Sequence, residues 1–144
     1  MLSKGEELVS AIDDLVYEKT QEHEYRVDLT VAEIYKTTGK GSLDFGGSEF
    51  EGSKLKKIEP KKRDPDDDYG WWELEEGTYI IKFNESLKEG KALVQPIPRL
   101  LKTGTTVPTF IHESGEELQS LLRVSSIGVN IKENARVAGM YMVD

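Results

Sequence analysis

Residues 71–98 read WWELEEGTYIIKFNESLKEGKALVQPIP, and this stretch decides the fold. Trp72 and Leu74, then residues 78–84, then residues 91–95 form short runs rich in aromatic and β-branched side chains. Glu75-Glu76-Gly77 and Lys88-Glu89-Gly90 separate them as turns. Toward the C-terminus the same texture continues: LLKTGTTVPTFIH supplies a turn and a strand, LQSLLRV another strand, and SIGVNIKENARVAGMYMV the last two. Upstream, Tyr25, Val27, Leu29 and Val31 alternate with Arg26, Asp28 and Thr30, the period-two signature of a half-buried strand. Residues 32–35 extend that strand, and Gly39 and Gly41 end it. Short strands with Gly, Pro and Asn turns at this spacing predict a mainly β domain, a sandwich or barrel.

Two segments lie outside the strand pattern. Ser3 precedes Glu6 at capping-box spacing, and Leu8, Ile12, Leu15 and Val16 recur at helical intervals, which predicts a short N-terminal helix over residues 4–17. Residues 37–70 hold six glycines and the opposed charge blocks KLKKIEPKKRDPDDD, and read as a loop-rich charged insert. The whole chain, residues 1–144, reads as a single domain.

Composition excludes several classes. The 144 residues carry 19 Lys and Arg against 27 Asp and Glu, a net charge of −8. An acidic chain lacks the basic footprint that a nucleic acid or an anionic membrane demands. Lys54, Lys56, Lys57, Lys61, Lys62 and Arg63 would make such a patch, but Asp64, Asp66, Asp67 and Asp68 follow at once and offset it. The absence of cysteine removes disulfides, thiolate metal sites and thiol nucleophiles, and two histidines cannot build a multi-histidine metal centre. No apolar run is long enough for a membrane helix, and the acidic N-terminus is no secretion signal, so a cytoplasmic location is expected.

The order of YRVDLTVAEIY, EEGTYIIKFNESL, PIPRLLKTG and NIKENARVAGMYMV resembles the dUTPase and dCTP deaminase superfamily, in particular its archaeal deaminase-like branch. Tyr25, Arg26, Val27, Asp28 and Leu29 match the family's opening G/Y-x-D-L element. Glu76, Gly77, Thr78, Tyr79, Ile80 and then Glu85 stand where the family has its G-x-Y-x-I-x-x-x-E turn and strand. Lys132, Asn134, Arg136, Val137 and Ala138 match the closing hairpin, with Gly139 where Gln is usual. The resemblance implies a distorted β-barrel or jelly roll, a homotrimer with sites at subunit interfaces, Mg²⁺, and a deoxynucleoside triphosphate substrate.

It also implies site residues. The family's phosphate-binding P-R-S-S-L-x-R-x-G element aligns with Pro96 through Gly104. Ile97 replaces its Arg, Pro98 and Arg99 replace its serines, and Lys102 takes the second basic position. Isoleucine cannot pair a phosphate and Pro98 has no N–H, which leaves Arg99 and Lys102 as phosphate ligands. His112 or Glu113 falls near the family's water-ordering aspartate, as candidate catalytic groups, and no tyrosine follows. Asp28 stands at the interface position, with a structural or substrate-orienting role. Arg123 occupies the strand where the deaminases need glutamate, which disfavours deamination. Three readings follow: a hydrolase that splits dUTP or a related dNTP to monophosphate and pyrophosphate, a non-catalytic trimer acting as nucleotide sensor or partner-binding subunit, and a dCTP deaminase with a rearranged site.

Overall fold

The computed structural model describes residues 1–143. The described residues form twelve strands and three short helices, which bears out the mainly β reading and adds short strands that the pattern does not mark. The main sheet is antiparallel and curls into a half-barrel. Its order is β8 (Thr105–Thr106), β10 (Gln119–Val124), β5 (Gly77–Phe83), β2 (Val27–Thr37), β12 (Arg136–Tyr141), β7 (Lys91–Pro96) and β9 (Phe110–Glu113). A small sheet pairs β4 (Trp71–Leu74) with β11 (Val129–Lys132). The core is aliphatic and continuous, with Leu29, Ile34, Ile81, Val94, Leu122 and Met140 fully buried.

The strand β2 is central, and this changes how its alternation must be read. Residues 27–31 are buried on both faces, so Asp28 and Thr30 are core residues rather than solvent-facing ones. Along one edge, β2 pairs β12 at Val27–Thr30 and β3 (Leu55–Ile58) at Ile34–Thr37. Along the other edge it pairs β5 from Val31 upward. Below that point β5 has ended, and side chains complete the ladder. Glu85 accepts the Thr30 N–H at 2.8 Å and the Thr30 hydroxyl at 2.5 Å. Gln21 donates its amide to Glu85 at 2.9 Å and to the Asp28 carbonyl at 2.8 Å. The Thr30 hydroxyl in turn accepts from Asn84 Nδ2, which also reaches Asn134 Oδ1, both at 2.8 Å. Every polar group on this stretch of buried backbone therefore has a partner, as burial requires.

The N-terminal segment is shorter in helix than its periodicity predicts. α1 spans Gly5–Ser10, with Lys4 at its N-cap and no capping side chain. The backbone N–H of Ser3 is used instead on the Met142 carbonyl. The helix stops because Ile12 and Asp13 pair with Leu87 and Ser86 as strands β1 (Ile12–Asp13) and β6 (Ser86–Leu87), and Asp14 turns the chain at φ 64°. A second turn of helix, α2 (Glu18–Gln21), delivers Gln21 to the core. The charged insert is mostly exposed loop, as its composition predicts, but Leu55, Lys56, Lys57 and Ile58 form the edge strand β3 and Lys61 bridges to Trp71. Lys56 and Lys57 place a charge on each face of this edge strand, a common guard against edge-to-edge pairing.

Removing Glu85 tests the completed ladder. Glu85→Ala strips the acceptor from the buried Thr30 N–H and from Gln21, and each orphaned donor costs about 1–3 kcal/mol. The variant is expected to lose about 2–5 kcal/mol in urea unfolding, while Glu85→Gln, which keeps an acceptor for Thr30, loses less. Equal stability of Glu85→Ala and wild type contradicts this account.

Candidate functional site

The turn that carries the chain from β11 in the small sheet to β12 in the main sheet spans Lys132–Glu133–Asn134–Ala135. Asn134 adopts φ 65°, a conformation Asn tolerates better than most residues, and its N–H bonds the Val31 carbonyl at 2.9 Å. Glu133 Oε1 accepts the Gly70 N–H at 2.9 Å, tying the turn to the start of β4. Just past the turn the register with β2 slips: Arg136 lies opposite Thr30, but Ala138 lies opposite Leu29. Such a bulge bends the strand and re-aims the side chains beside it.

Arg136 is thereby placed between two neighbours. On one side it donates to Asp28 Oδ2 at 3.1 Å and to the Thr20 carbonyl at 3.3 Å. On the other it lines a pocket of about 290 Å³ between this turn and α3 (Pro98–Leu101). Arg99, from the middle of α3, and Lys132, from the end of β11, line the same pocket. Trp71, Leu100 and Val129 give it apolar walls. The Arg63 guanidinium stacks over Trp71 at 3.8 Å from the ring centroid, and the Lys132 ammonium approaches the same ring at 5.7 Å. Among the described residues, no aspartate or glutamate lines it. A concavity lined by three cationic residues has the chemistry to suit an anion. Unlike lone ammonium groups, its two guanidiniums can present paired N–H donors to phosphate oxygens.

Asp28 holds one of those cations in place. Its side chain has no exposed surface, and His23 Nε2 and Arg26 Nε each reach it at 2.8 Å beside Arg136. A buried carboxylate demands this density of donors. Gly139 makes room for it: a Cβ there would stand 3.0 Å from Arg26 Cδ and 3.3 Å from the Tyr141 ring. The glycine found where the family pattern has glutamine thus lets Arg26 lie across β12.

The sequence-predicted residues divide spatially. Arg99 lines the pocket, and Asp28 reaches it through Arg136. Lys102 is exposed at the C-cap of α3 and does not line it. Ile97, in the place of the family's arginine, is buried in the core. His112 and Glu113 sit on β9, opposite Ala92 and Lys91 of β7. The pocket end of β7 is Pro96, four residues or about 13 Å further along the strand. Neither lines the pocket, and they point apart: Glu113 is exposed, whereas His112 is buried with Nε2 unpartnered. Arg123 is exposed beside Glu76. Lys132 and Arg136 were visible as family-pattern residues, but nothing in the sequence assigns them a common pocket with Arg99.

A protein-held metal does not fit. Among the described residues no cluster of three His, Asp or Glu side chains could hold one, and the pocket donors are cations. Among the described residues, no helix is long and apolar enough to cross a membrane.

A curled antiparallel β sheet carrying a cationic pocket beside that turn is the class defined by this geometry. A probable deoxyuridine 5'-triphosphate nucleotidohydrolase of Methanosarcina mazei is 30% identical over 132 residues, spanning 88% of this chain and 74% of that protein. One from Archaeoglobus fulgidus is 28% identical over 138 residues, spanning 92% and 77% respectively. The crystal structure of 2'-deoxycytidine 5'-triphosphate deaminase from Agrobacterium tumefaciens superposes with a TM-score of 0.65 at 13% identity. The match covers 97% of this chain, which spans 45% of that one. No protein-family model matches the chain. The chain belongs to the dUTPase and dCTP deaminase superfamily.

The placement of His112 has a measurable consequence. Burial holds its pKa below the ordinary imidazole value of 6.5. As pH falls through 6.5 the unfolded chain takes up this proton before the folded chain does, so the contribution to stability is complete above 6.5 and is lost below it. Buried Glu85 acts with the opposite sign: burial raises its pKa above 4.5, so its cost is relieved as pH falls through that raised value. His112→Leu is therefore expected to gain stability relative to wild type between pH 7.5 and pH 5.5 in urea titrations. A difference independent of pH contradicts the buried neutral assignment.

Proposed function

We propose that the chain hydrolyses dUTP or a related deoxynucleoside triphosphate to the monophosphate and pyrophosphate. The observation that carries this reading is the convergence of Arg99, Lys132 and Arg136 on one partly apolar pocket in a protein of net charge −8. The names of the archaeal relatives support the same substrate class.

In this reading the three cations grip phosphate oxygens, and Trp71, Leu100 and Val129 bound the less polar part of the nucleotide. Arg136, fixed by Asp28, sets the position of the chain of phosphates without having to be ordered on binding, which lowers the entropic cost. A water oxygen attacks the α-phosphorus and the bond from that phosphorus to the α–β bridging oxygen breaks. The electron pair leaves with pyrophosphate, and the proton of the water goes to a base. Arg99 and Lys132 offset charge that develops on the departing pyrophosphate. A magnesium ion belongs here as the nucleotide's own counterion, since the pocket offers it no carboxylate. The base is not in the pocket of a single chain, so the protein works as the homotrimer that its superfamily membership suggests, with a carboxylate arriving from another copy. Glu113 on the edge strand β9 is one exposed carboxylate available for this, and the loop 42–51 holds others.

The non-catalytic sensor reading shares the pocket and lacks the turnover. Pyrophosphate release from dUTP, dCTP and dTTP with Mg²⁺ separates the two. Release from dUTP is expected, with Arg99→Ala and Lys132→Ala each lowering kcat/KM by about 10–150-fold, the size of one charge-assisted contact at about 1.5–3 kcal/mol. A nucleotide that raises the melting temperature without being hydrolysed would favour the sensor. No release and no shift with any nucleotide would overturn both.

A further inference from the structure

The accessible surface of the chain is 9013 Å², against roughly 7,500 Å² for a compact chain of this mass. Exposed large apolar side chains occur along the chain, and three of them fall within one short loop. Leu43, Phe45 and Phe50 are 89%, 108% and 60% exposed, on a loop that is held in a fixed shape. Ser42 and Glu51 exchange both backbone hydrogen bonds, at 2.7 and 2.9 Å. Asp44 accepts the Gly47 and Glu49 N–H groups at 3.1 and 2.9 Å. A pre-ordered loop that leaves two phenylalanines largely in water buries little for its own chain, and exposed apolar clusters of this kind mark contact surfaces.

The loop cannot serve its own pocket. Arg136 pairs with Thr30, and the loop departs from β2 beyond Thr37, seven residues or about 23 Å along the same strand. Its chemistry nonetheless matches that pocket: Asp44, Glu49 and Glu51 flank the two aromatic rings, while the pocket offers three cations, apolar walls and no carboxylate. We propose that the loop 42–51 of one copy docks on the cationic pocket of a second copy, with Phe45 and Phe50 against its apolar rim and Glu49 supplying the carboxylate the pocket lacks. The assignment of a base to Glu49 rests on the hydrolase reading; the docking itself does not.

The chain has no cysteine, so single cysteines report on the contact directly. Chains carrying Ser48→Cys and chains carrying Asn130→Cys, which lies on the pocket wall, are mixed, allowed to exchange subunits and treated with a short bismaleimide. A two-chain product is expected in the mixture well above the level in either variant alone. It is expected to disappear when Phe45→Ala and Phe50→Ala are added to the Ser48→Cys chain. A product no stronger in the mixture, or one indifferent to the phenylalanines, overturns the proposal. In dUTP hydrolysis, Glu49→Gln is expected to lower kcat at least tenfold. Mixing Phe45→Ala/Phe50→Ala chains with Arg99→Ala chains is expected to restore part of the activity, because an intact loop then meets an intact pocket. Loss of activity in Glu113→Gln but not in Glu49→Gln would overturn the carboxylate assignment. Cross-linking without any hydrolysis removes the hydrolase reading and keeps the docking, and hydrolysis without cross-linking removes the docking alone.

Discussion

The architecture is organised around two carboxylates that must be satisfied inside the sheet. Asp28 and Glu85 are both buried, one on the central strand and one beside it, in an interior where an unpaired charge is far costlier than in water. Their solutions differ. Glu85 takes neutral donors and closes an unfinished strand edge, so its role ends in stability. Asp28 takes cationic donors, and one of these, Arg136, has its other side on the pocket. The requirement to compensate one buried charge thus becomes a device for aiming another. Replacing the cluster with apolar residues of similar volume would serve stability as well or better, as buried ion pairs commonly show, but would leave the pocket without a fixed guanidinium.

In the proposed reading, the pocket is what lets a strongly acidic chain hold a polyanion. Net charge acts through a field that salt screens within about 8–10 Å, whereas a contact ion pair near the surface is worth about 4 kcal/mol at an effective dielectric constant near 20. Three cations within one concavity therefore outweigh distant carboxylates.

Much of the fold could be read from the chain, because alternation and turn chemistry report local structure. The strands around Tyr79, Val94 and Leu122 lie where the pattern puts them. What escaped depends on tertiary partners. The helix predicted over residues 4–17 gives way after Ser10 because Ile12 has a strand partner in Leu87 that no local pattern announces. Asp28 reads as a solvent-side residue until β2 is known to be central. The family spacing pointed to Arg99, which lines the pocket, but its pocket neighbours Lys132 and Arg136 come from a turn some thirty residues away in the sequence, beside a bulge. His112 and Glu113 share a sequence neighbourhood with the family's catalytic loop, yet alternate faces of β9 separate them.

The direct measurement of the central claim is calorimetric titration of a non-hydrolysable dUTP analogue into the protein over a series of salt concentrations. Gripping by Arg99, Lys132 and Arg136 predicts an affinity that falls steadily as salt rises, with a shallower slope when Lys132 is replaced by Ala. Binding indifferent to salt, or unchanged by loss of Lys132, would contradict it.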